Sequence, residues 1–262
     1  MPQASATLNV MIAAARKAAR ALARDFGEVE NLQVSRKGPA DFVSAADLKA
    51  EKTIFEELSK ARPGYGFLME ERGAVEGTDK SHRWLVDPLD GTTNFLHGLP
   101  HFAISIGLER EGVLVAGVIY NVARDELFWA EKGAGAYLND KRLRVAARGD
   151  MRDALFATGT PYAGRPGHER ALEEIGRVIA LTSGIRRYGA AALDLAYVAA
   201  GRFDGFWERG LNAWDIAAGA VIVREAGGLV AEIDGGDFMK TGAVITANEK
   251  LMPLLTRAVR GG

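Results

Sequence analysis

Asp87 and Asp90 stand close together in the string Asp87-Pro88-Leu89-Asp90-Gly91-Thr92-Thr93-Asn94-Phe95. Carboxylates and backbone carbonyls are the oxygen donors that a hard cation such as Mg²⁺ prefers. Pro88 keeps Asp87 extended and fixes the bend after it. Gly91 can take backbone angles that other residues resist, leaving amides free to point outward. A helix beginning at Thr92 or Thr93 would make those amides an anion site. One short turn therefore suits a metal and a phosphate side by side. Asp-Pro and Asp-Gly are also common turn dipeptides, and it is the full string, ending in Thr-Thr-Asn-Phe, that sets this segment apart from an ordinary loop.

Composition narrows the chemistry. The 262 residues include no cysteine, which excludes disulfides and thiolate metal sites and makes structural zinc a poor fit. The histidines, His82, His97, His101 and His168, are scattered, so a metal is expected to rely on oxygen ligands. Lys plus Arg number 33 against 34 Asp plus Glu, a balance that gives no global case for nucleic acid or an anionic membrane. No apolar stretch approaches the roughly 20 residues that span a bilayer. Residues 1–27 are Ala-rich and basic, but Asp25 and the lack of a continuous apolar run argue for a first helix rather than a targeting peptide. The chain is expected to be cytoplasmic.

The elements that must position the acids follow from periodicity. Leu8, Met11, Ala15, Ala18, Leu22 and Phe26 form one helical face that Gly27 ends, and Leu48 to Lys60 forms a second helix with Ile54, Phe55 and Leu58 inward. Gly66 to Met69 reads as a strand delivering Glu70, and Trp84-Leu85-Val86 as a buried strand delivering Asp87. Residues 102–145 read as a run of strands, with Val113 to Tyr120 central because both faces are apolar. Glu126–Ala130, Ala136–Leu138 and Leu143–Val145 follow, separated by turns at Gly133-Ala134-Gly135 and Asn139-Asp140. Past Ala147–Asp153 the pattern changes. Strands at Leu155–Thr158, Ile185–Tyr188, Phe203–Trp207, Gly228–Ala231 and Val244–Thr246 alternate with helices at 167–182, 190–200, 214–226 and 248–258, as in a mixed or parallel sheet covered by helices. No fixed-period repeat or low-complexity linker appears. The expectation is a mixed α/β chain in two halves, 1–147 and 148–262, sharing an interface.

The nine-residue string resembles the metal signature of the inositol monophosphatase family, within the Mg²⁺-dependent, lithium-sensitive sugar phosphatases. Trp214-Asp215-Ile216-Ala217-Ala218-Gly219-Ala220, running on to Glu225-Ala226-Gly227-Gly228, resembles a second signature. Glu70-Glu71 resembles a third, and Asp41-Phe42-Val43-Ser44 with Asp47 a fourth. Order and spacing match from about residue 30 to residue 230. Gly189-Ala190-Ala191-Ala192-Leu193-Asp194-Leu195 is most similar to the bacterial branch. The resemblance implies a layered α-β-α-β-α sandwich with the active site between the halves, a homodimer, and two or three Mg²⁺ ions per site.

Carried over residue by residue, the resemblance implies that Asp87 bridges two metals. Glu70 and the Leu89 carbonyl complete the first, and Asp90 and Asp215 the second. Thr92 and Asp47 match the pair that orients and deprotonates the attacking water, with Glu70 also catalytic. The substrate would contact Leu89, Asp90, Gly91, Thr92, Gly189, Ala190, Ala191, Glu208 and Asp215. Residue by residue, other readings stay open: Asp215 and Asp47 suit helix caps, Glu70 suits a solvated loop, and Glu208 a surface acid beside Arg209. Ala46 and Ala190 depart from the family, which often carries Thr or Ser there, so preference among polyol phosphates is open. Arg186-Arg187 reads as a solvated strand end, and Trp84, Trp129, Trp207 and Trp214 as core or interface aromatics. The function implied is hydrolysis of inositol 1-phosphate or a similar small polyol phosphate. Fructose-1,6-bisphosphate, 3′-phosphoadenosine 5′-phosphate and histidinol phosphate are alternatives, as is an interaction role with the transcription machinery.

Overall fold

The helical stripe at the start of the chain produces α1 (Ala6–Phe26), whose N-cap Ser5 accepts a hydrogen bond from Leu8 N at 3.1 Å. Its buried side chains are Leu8, Met11, Ala14, Ala15, Ala18, Ala19 and Leu22, one continuous face at helical spacing. The computed structural model describes residues 4–28, 34–38 and 41–262. After α1 come an antiparallel pair, β1 (Val34–Gly38) and β2 (Asp41–Ser44), and then α2 (Ala45–Ala61). The side chains of Asp41, Phe42 and Val43 lie outside the described residues.

The strands that follow are β3 (Tyr65–Met69), β4 (Gly73–Val75), β5 (Asp79–Asp90), β6 (Ala103–Arg110), β7 (Val113–Asn121), β8 (Glu126–Glu131), β9 (Gly135–Leu138) and β10 (Lys141–Arg142). They form one sheet in the order β10-β9-β8-β7-β6-β5-β3-β4, with β3 parallel to β5 and the other pairings antiparallel. The short helix α3 (Thr92–Leu96) lies between β5 and β6. The second sheet contains β11 (Leu155–Thr158), β12 (Gly184–Arg186), β13 (Gly205–Glu208), β14 (Leu229–Glu232) and β15 (Val244–Ala247), ordered β12-β11-β13-β15-β14. It is mixed: β11 runs parallel to β12 and β13, and β15 antiparallel to β13 and β14. Its helices are α4 (His168–Ile179), α5 (Ala191–Ala199), α6 (Ala213–Glu225), α7 (Phe238–Thr241) and α8 (Met252–Arg260).

Strand alternation assigns the layers. Trp84 and Val86 of β5 join α1 and α2 in one core, while Leu85 between them joins α5 and α6 in another. On the second sheet Ala157, Phe206 and Val244 face that same middle core. Their neighbours Phe156, Trp207 and Ile245 face a third core with Val178 of α4 and Leu255 of α8. The result is the five-layer α-β-α-β-α sandwich of a mixed α/β fold.

α6 can sit close against the large sheet because two neighbouring positions of its seat carry no side chain. Gly107 and Gly117 are register partners on β6 and β7. A Cβ on Gly107 would lie 2.7 Å from Ala217 Cβ, and one on Gly117 would lie 2.4 Å from Ala218 O. Ser105 Oγ, on the same strand as Gly107, donates to Trp214 O at 3.2 Å at the start of α6. Ser105 is the register partner of Asp87, so this contact brings the α6 N-terminus to the acidic turn.

Most expected elements lie within a few residues of their predicted bounds, and the exceptions have local causes. Leu143–Val145 is not a strand. Leu143 N still reaches Ala136 O of β9 at 2.8 Å, but Val145 N donates to Ala226 O beyond the end of α6, so the chain leaves the sheet there. The strand expected at Ile185–Tyr188 ends at Arg186, because the Tyr188 carbonyl is taken by the Asn94 side chain at 2.8 Å. The last helix begins at Met252 rather than 248. The Asn248 side chain accepts from Lys250 N and Leu251 N in a turn ahead of it, and Pro253 lies in its first turn. Trp84, Trp129 and Trp207 are buried as expected. The β1–β2 pair, β4 and α7 were not anticipated.

The glycine seat generates a test. Gly117→Ala places a methyl against backbone that cannot move alone, and we expect a loss of about 2 kcal/mol in urea unfolding. An unchanged midpoint would show that α6 does not press on β7.

Candidate active site

The two acids of the central turn reach one side by an irregularity in the sheet. In a regular strand, residues three apart point to opposite faces. Asp87 pairs with Ser105 and Asp90 with Ala103, so β5 carries one residue more than β6 over this interval. That bulge offsets the alternation, and both carboxylates border one cavity of about 630 Å³ between the sheets. Gly91 then turns the chain into α3 with φ +88°, and a Cβ there would sit 3.0 Å from His101 O. Conformation and space both require glycine.

Other elements deliver the remaining acids. Parallel pairing of β3 with β5 continues through Glu70 N to Val86 O at 3.1 Å, setting Glu70 beside Asp87. The buried Glu51 of α2 accepts from Glu71 N at 2.8 Å and Arg72 N at 3.3 Å, which fixes the turn after Glu70. Asp215 lies in the first turn of α6, where its Oδ2 accepts from Asn212 N at 2.7 Å. It is therefore a helix-capping residue and a cavity acid at once. Asp90 Oδ2 accepts from Ala192 N at 2.8 Å. Because Ala190 offers no side-chain cap, Asp90 caps α5 from outside and holds Gly189, Ala190 and Ala191 against the turn.

Asp47 does not border the cavity but acts through a neighbour. Its Oδ2 accepts from Ser44 N at 2.8 Å in a reciprocal capping box, and its Oδ1 accepts from Thr92 Oγ1 at 3.0 Å. The Thr92 hydroxyl is also 3.0 Å from the Leu89 carbonyl. The cavity thus gathers Glu70, Asp87, Leu89, Asp90, Gly91, Thr92, Gly189, Ala190, Ala191, Glu208 and Asp215, with Asp47 one hydrogen bond behind Thr92. Glu208 is not a surface acid paired with Arg209. A Cβ on Gly159 would fall 1.9 Å from its carboxyl, so the missing side chain makes room for it.

Sequence reasoning missed several wall residues. Arg187 is exposed just past the end of β12, as expected, but it also borders the cavity, with Nε donating to Thr160 Oγ1 at 3.2 Å. Trp214 packs against the middle core, as expected of a core or interface aromatic, and also borders the cavity. Thr160, Tyr162 and Arg165 come from the loop before α4. Asn94, inside the quoted string, donates to both His101 O and Tyr188 O at 2.8 Å and ties the Gly189 segment to α3. Asn94 and Trp214 lay inside the quoted signatures, whereas Thr160, Tyr162 and Arg165 carried no sequence signal.

Crowded acids resist ionisation. Burial pushes Asp87 well above the usual carboxylate range, and the charges of Glu70, Asp90 and Asp215 push further. The neighbouring Glu70 carboxyl raises it further, because an ionised Asp87 cannot share a proton with an ionised Glu70. Asp215 is likewise raised, by burial against the Asn212 amide that favours its charge. Burial lifts Asp90 to about 7, opposed by the Ala192 amide, and lifts Glu208 to about 8 with help from Asp215. Burial also raises Asp47. An all-oxygen set of converging acids that hold protons when alone fits a hard divalent cation, which replaces those protons.

Comparison with known proteins agrees with this geometry. The inositol monophosphatase family model matches residues 3–261. A Mesorhizobium japonicum protein named inositol-1-monophosphatase is 64% identical over 98% of this chain and 97% of its own length. A crystal structure of extragenic suppressor protein suhB from Bartonella henselae superposes with a TM-score of 0.96 at 60% identity, covering 98% of this chain and all of that one. Escherichia coli Nus factor SuhB is 42% identical over 97% of this chain and 95% of its own length.

The raised acids set a pH dependence. A carboxyl whose folded pKa exceeds its unfolded value contributes stability below the unfolded value and loses it as pH rises through the folded one. For Asp90 and Glu208 that window runs from about 4 to about 7 and 8. Without metal the protein should lose stability from about pH 5 to about pH 8, and Mg²⁺ should restore more at the upper end. Melting curves with the same Mg²⁺ increment at both ends would contradict this.

Proposed function

The chain belongs to the inositol monophosphatase family, a family of phosphatases, and we propose that it hydrolyses inositol 1-phosphate to inositol and phosphate with Mg²⁺. The observation that carries this reading is the meeting of Glu70, Asp87, Asp90 and Asp215 on one cavity wall beside the Thr92–Asp47 pair. Glu70, Asp87 and the Leu89 carbonyl would hold one ion, and Asp87, Asp90 and Asp215 a second. When bound, the ions acidify water and offset charge on the ester oxygens.

The chain's own residues supply the rest. Thr92 Oγ1 accepts a proton from the attacking water as its own proton passes to Asp47 Oδ1, whose burial raises its affinity for that proton. Glu70 borders the same space and steadies the water. Amides of Gly91 and Thr92, in the unpaired first turn of α3, receive the phosphate oxygens. Asp90, Ala190, Ala191 and Glu208 face the alcohol, and Glu208 suits the vicinal hydroxyls of a cyclitol. With no side-chain hydroxyl at Ala190, polyol recognition falls mainly on the two acids.

Assay against inositol 1-phosphate, fructose-1,6-bisphosphate, 3′-phosphoadenosine 5′-phosphate and histidinol phosphate tests the proposal. We expect Mg²⁺-dependent turnover with inositol 1-phosphate preferred and inhibition by Li⁺. No turnover on any ester with Mg²⁺ present would refute it. Asp90→Asn keeps an acceptor for Ala192 N, so it should fold normally yet lose more activity than the roughly 10–100-fold of a change around a metal ligand.

A second reading rests on the 42% identity to proteins named Nus factor SuhB. Contact with the transcription machinery would survive Asp90→Asn, and a cellular phenotype fully rescued by that inactive variant would favour it. No helix among the described residues is long and apolar enough to cross a membrane. We place the enzyme in the cytoplasm, as a homodimer. Sedimentation at micromolar concentration should give twice the chain mass, and a clean monomer would exclude the dimer.

A further inference from the structure

Glu208 stands in a thin wall. Behind it lies a second void of about 90 Å³, and Gly159, Pro161, Pro166, Glu208, Arg209 and Gly210 border both this void and the main cavity. Close packing normally fixes a side chain from every direction. Sheet pairing with Val244 fixes the Glu208 backbone at the end of β13, but its side chain and the loop that follows face open space on both sides and need a further restraint.

The next residue provides the restraint. Arg209 Nε donates to Glu174 Oε1 at 2.7 Å, and its Nη1 donates to Asp234 Oδ2 at 2.7 Å. Arg170 reaches the same two acids, Glu174 Oε1 at 3.2 Å and Asp234 Oδ2 at 3.1 Å. Glu174 is only 3% exposed, so its pairing is little screened by solvent. Asp234 sits on a firm turn, where the Glu232 carboxylate accepts from Gly236 N at 2.9 Å and Thr241 Oγ1 at 3.1 Å. Two arginines and two acids thus join α4, the end of β13 and the turn after β14.

We propose that Arg209 is a positioning residue, holding Glu208 in register with the substrate hydroxyls through its ion pairs to Glu174 and Asp234. This inference rests on the assignment of Glu208 as a polyol contact. The metal side of the same loop has its own restraints, Leu211 N to Gly242 O at 3.0 Å and Asn212 N to Asp215 at 2.7 Å. Loosening Arg209 therefore frees Glu208 and leaves Asp215 in place. The effect must fall on recognition of the alcohol and spare phosphate chemistry.

Steady-state kinetics on two esters test it: inositol 1-phosphate, and p-nitrophenyl phosphate, whose alcohol has no further hydroxyls. Arg209→Met should raise KM for inositol 1-phosphate about tenfold with kcat little changed, as expected of a misplaced orienting group, and leave kcat/KM for the aryl ester unaltered. Arg209→Lys, which keeps one ion pair, should recover part of the loss. Asp234→Asn, at a half-exposed site, weakens the brace without opening the core and should shift KM in the same direction if Arg209→Met does not fold. In a Glu208→Gln background, Arg209→Met should add nothing further, because it acts through Glu208. Equal losses on both esters, or no change on either, would overturn the proposal. A Glu208→Gln enzyme with unchanged KM would overturn it together with the assignment of Glu208. A shift in Glu208→Gln without one in Arg209→Met would overturn the brace alone.

Discussion

Carboxylates crowded around one cavity, with Asp87 buried among them, are the constraint around which this molecule is organised. Two unit charges about 4 Å apart at an effective dielectric near 20 repel by about 4 kcal/mol. A protein's whole net stability is only about 5–15 kcal/mol. A site with Glu70, Asp87, Asp90 and Asp215 on one wall therefore exists in one of two conditions, with protons on some acids or with cations among them. The upward push on Asp87 from burial and from Glu70, Asp90 and Asp215 favours the first condition in the absence of cations. The same carboxyls, freed of protons, are a ready ligand set for the second.

Holding such a set together demands rigid support from distant parts of the chain. The β5 bulge turns Asp87 and Asp90 to one side, and parallel pairing with β3 adds Glu70. The bare seat at Gly107 and Gly117 lets α6 settle on the sheet, so that Ser105 can grip its first turn and present Asp215. Each acid also accepts a backbone amide or contacts a neighbouring carboxyl: Leu89 N donates to Asp87, Ala192 N to Asp90 and Asn212 N to Asp215. These amides limit how far the acids can retreat from one another. The alcohol side is built differently. Its wall is thin, and its position depends on charges in the outer layer of the fold.

The legible parts of the sequence were those governed by local rules. The spacing at Leu8 to Leu22 gave α1, and the apolar Val113–Tyr120 run gave the central β7. Gly91 before Thr92 gave the start of α3. The closeness of Asp87 and Asp90 was also local. Their company with Glu70 and Asp215 came from family resemblance, because nothing in local pattern says which strand lies beside which helix. Gly107 and Gly117 look like any strand glycines until α6 is laid across them. Nothing in the local sequence marks Glu51, Glu174 or Arg209, since their surroundings depend on elements far along the chain. The cavity role of Trp214 and Arg187 was hidden for the same reason: residue type suggests core or solvent, and only the junction between the sheets also puts them on the cavity.

Diffraction from crystals grown with Mn²⁺ in place of Mg²⁺, recorded at the manganese edge, addresses the metal centre directly. The account predicts anomalous peaks bonded to the Asp87 carboxylate, at about 2.0–2.3 Å as hard divalent cations bind oxygen, with Glu70 on one side and Asp90 and Asp215 on the other. A saturated crystal with no peak at Asp87, or with manganese bound only elsewhere, would contradict it.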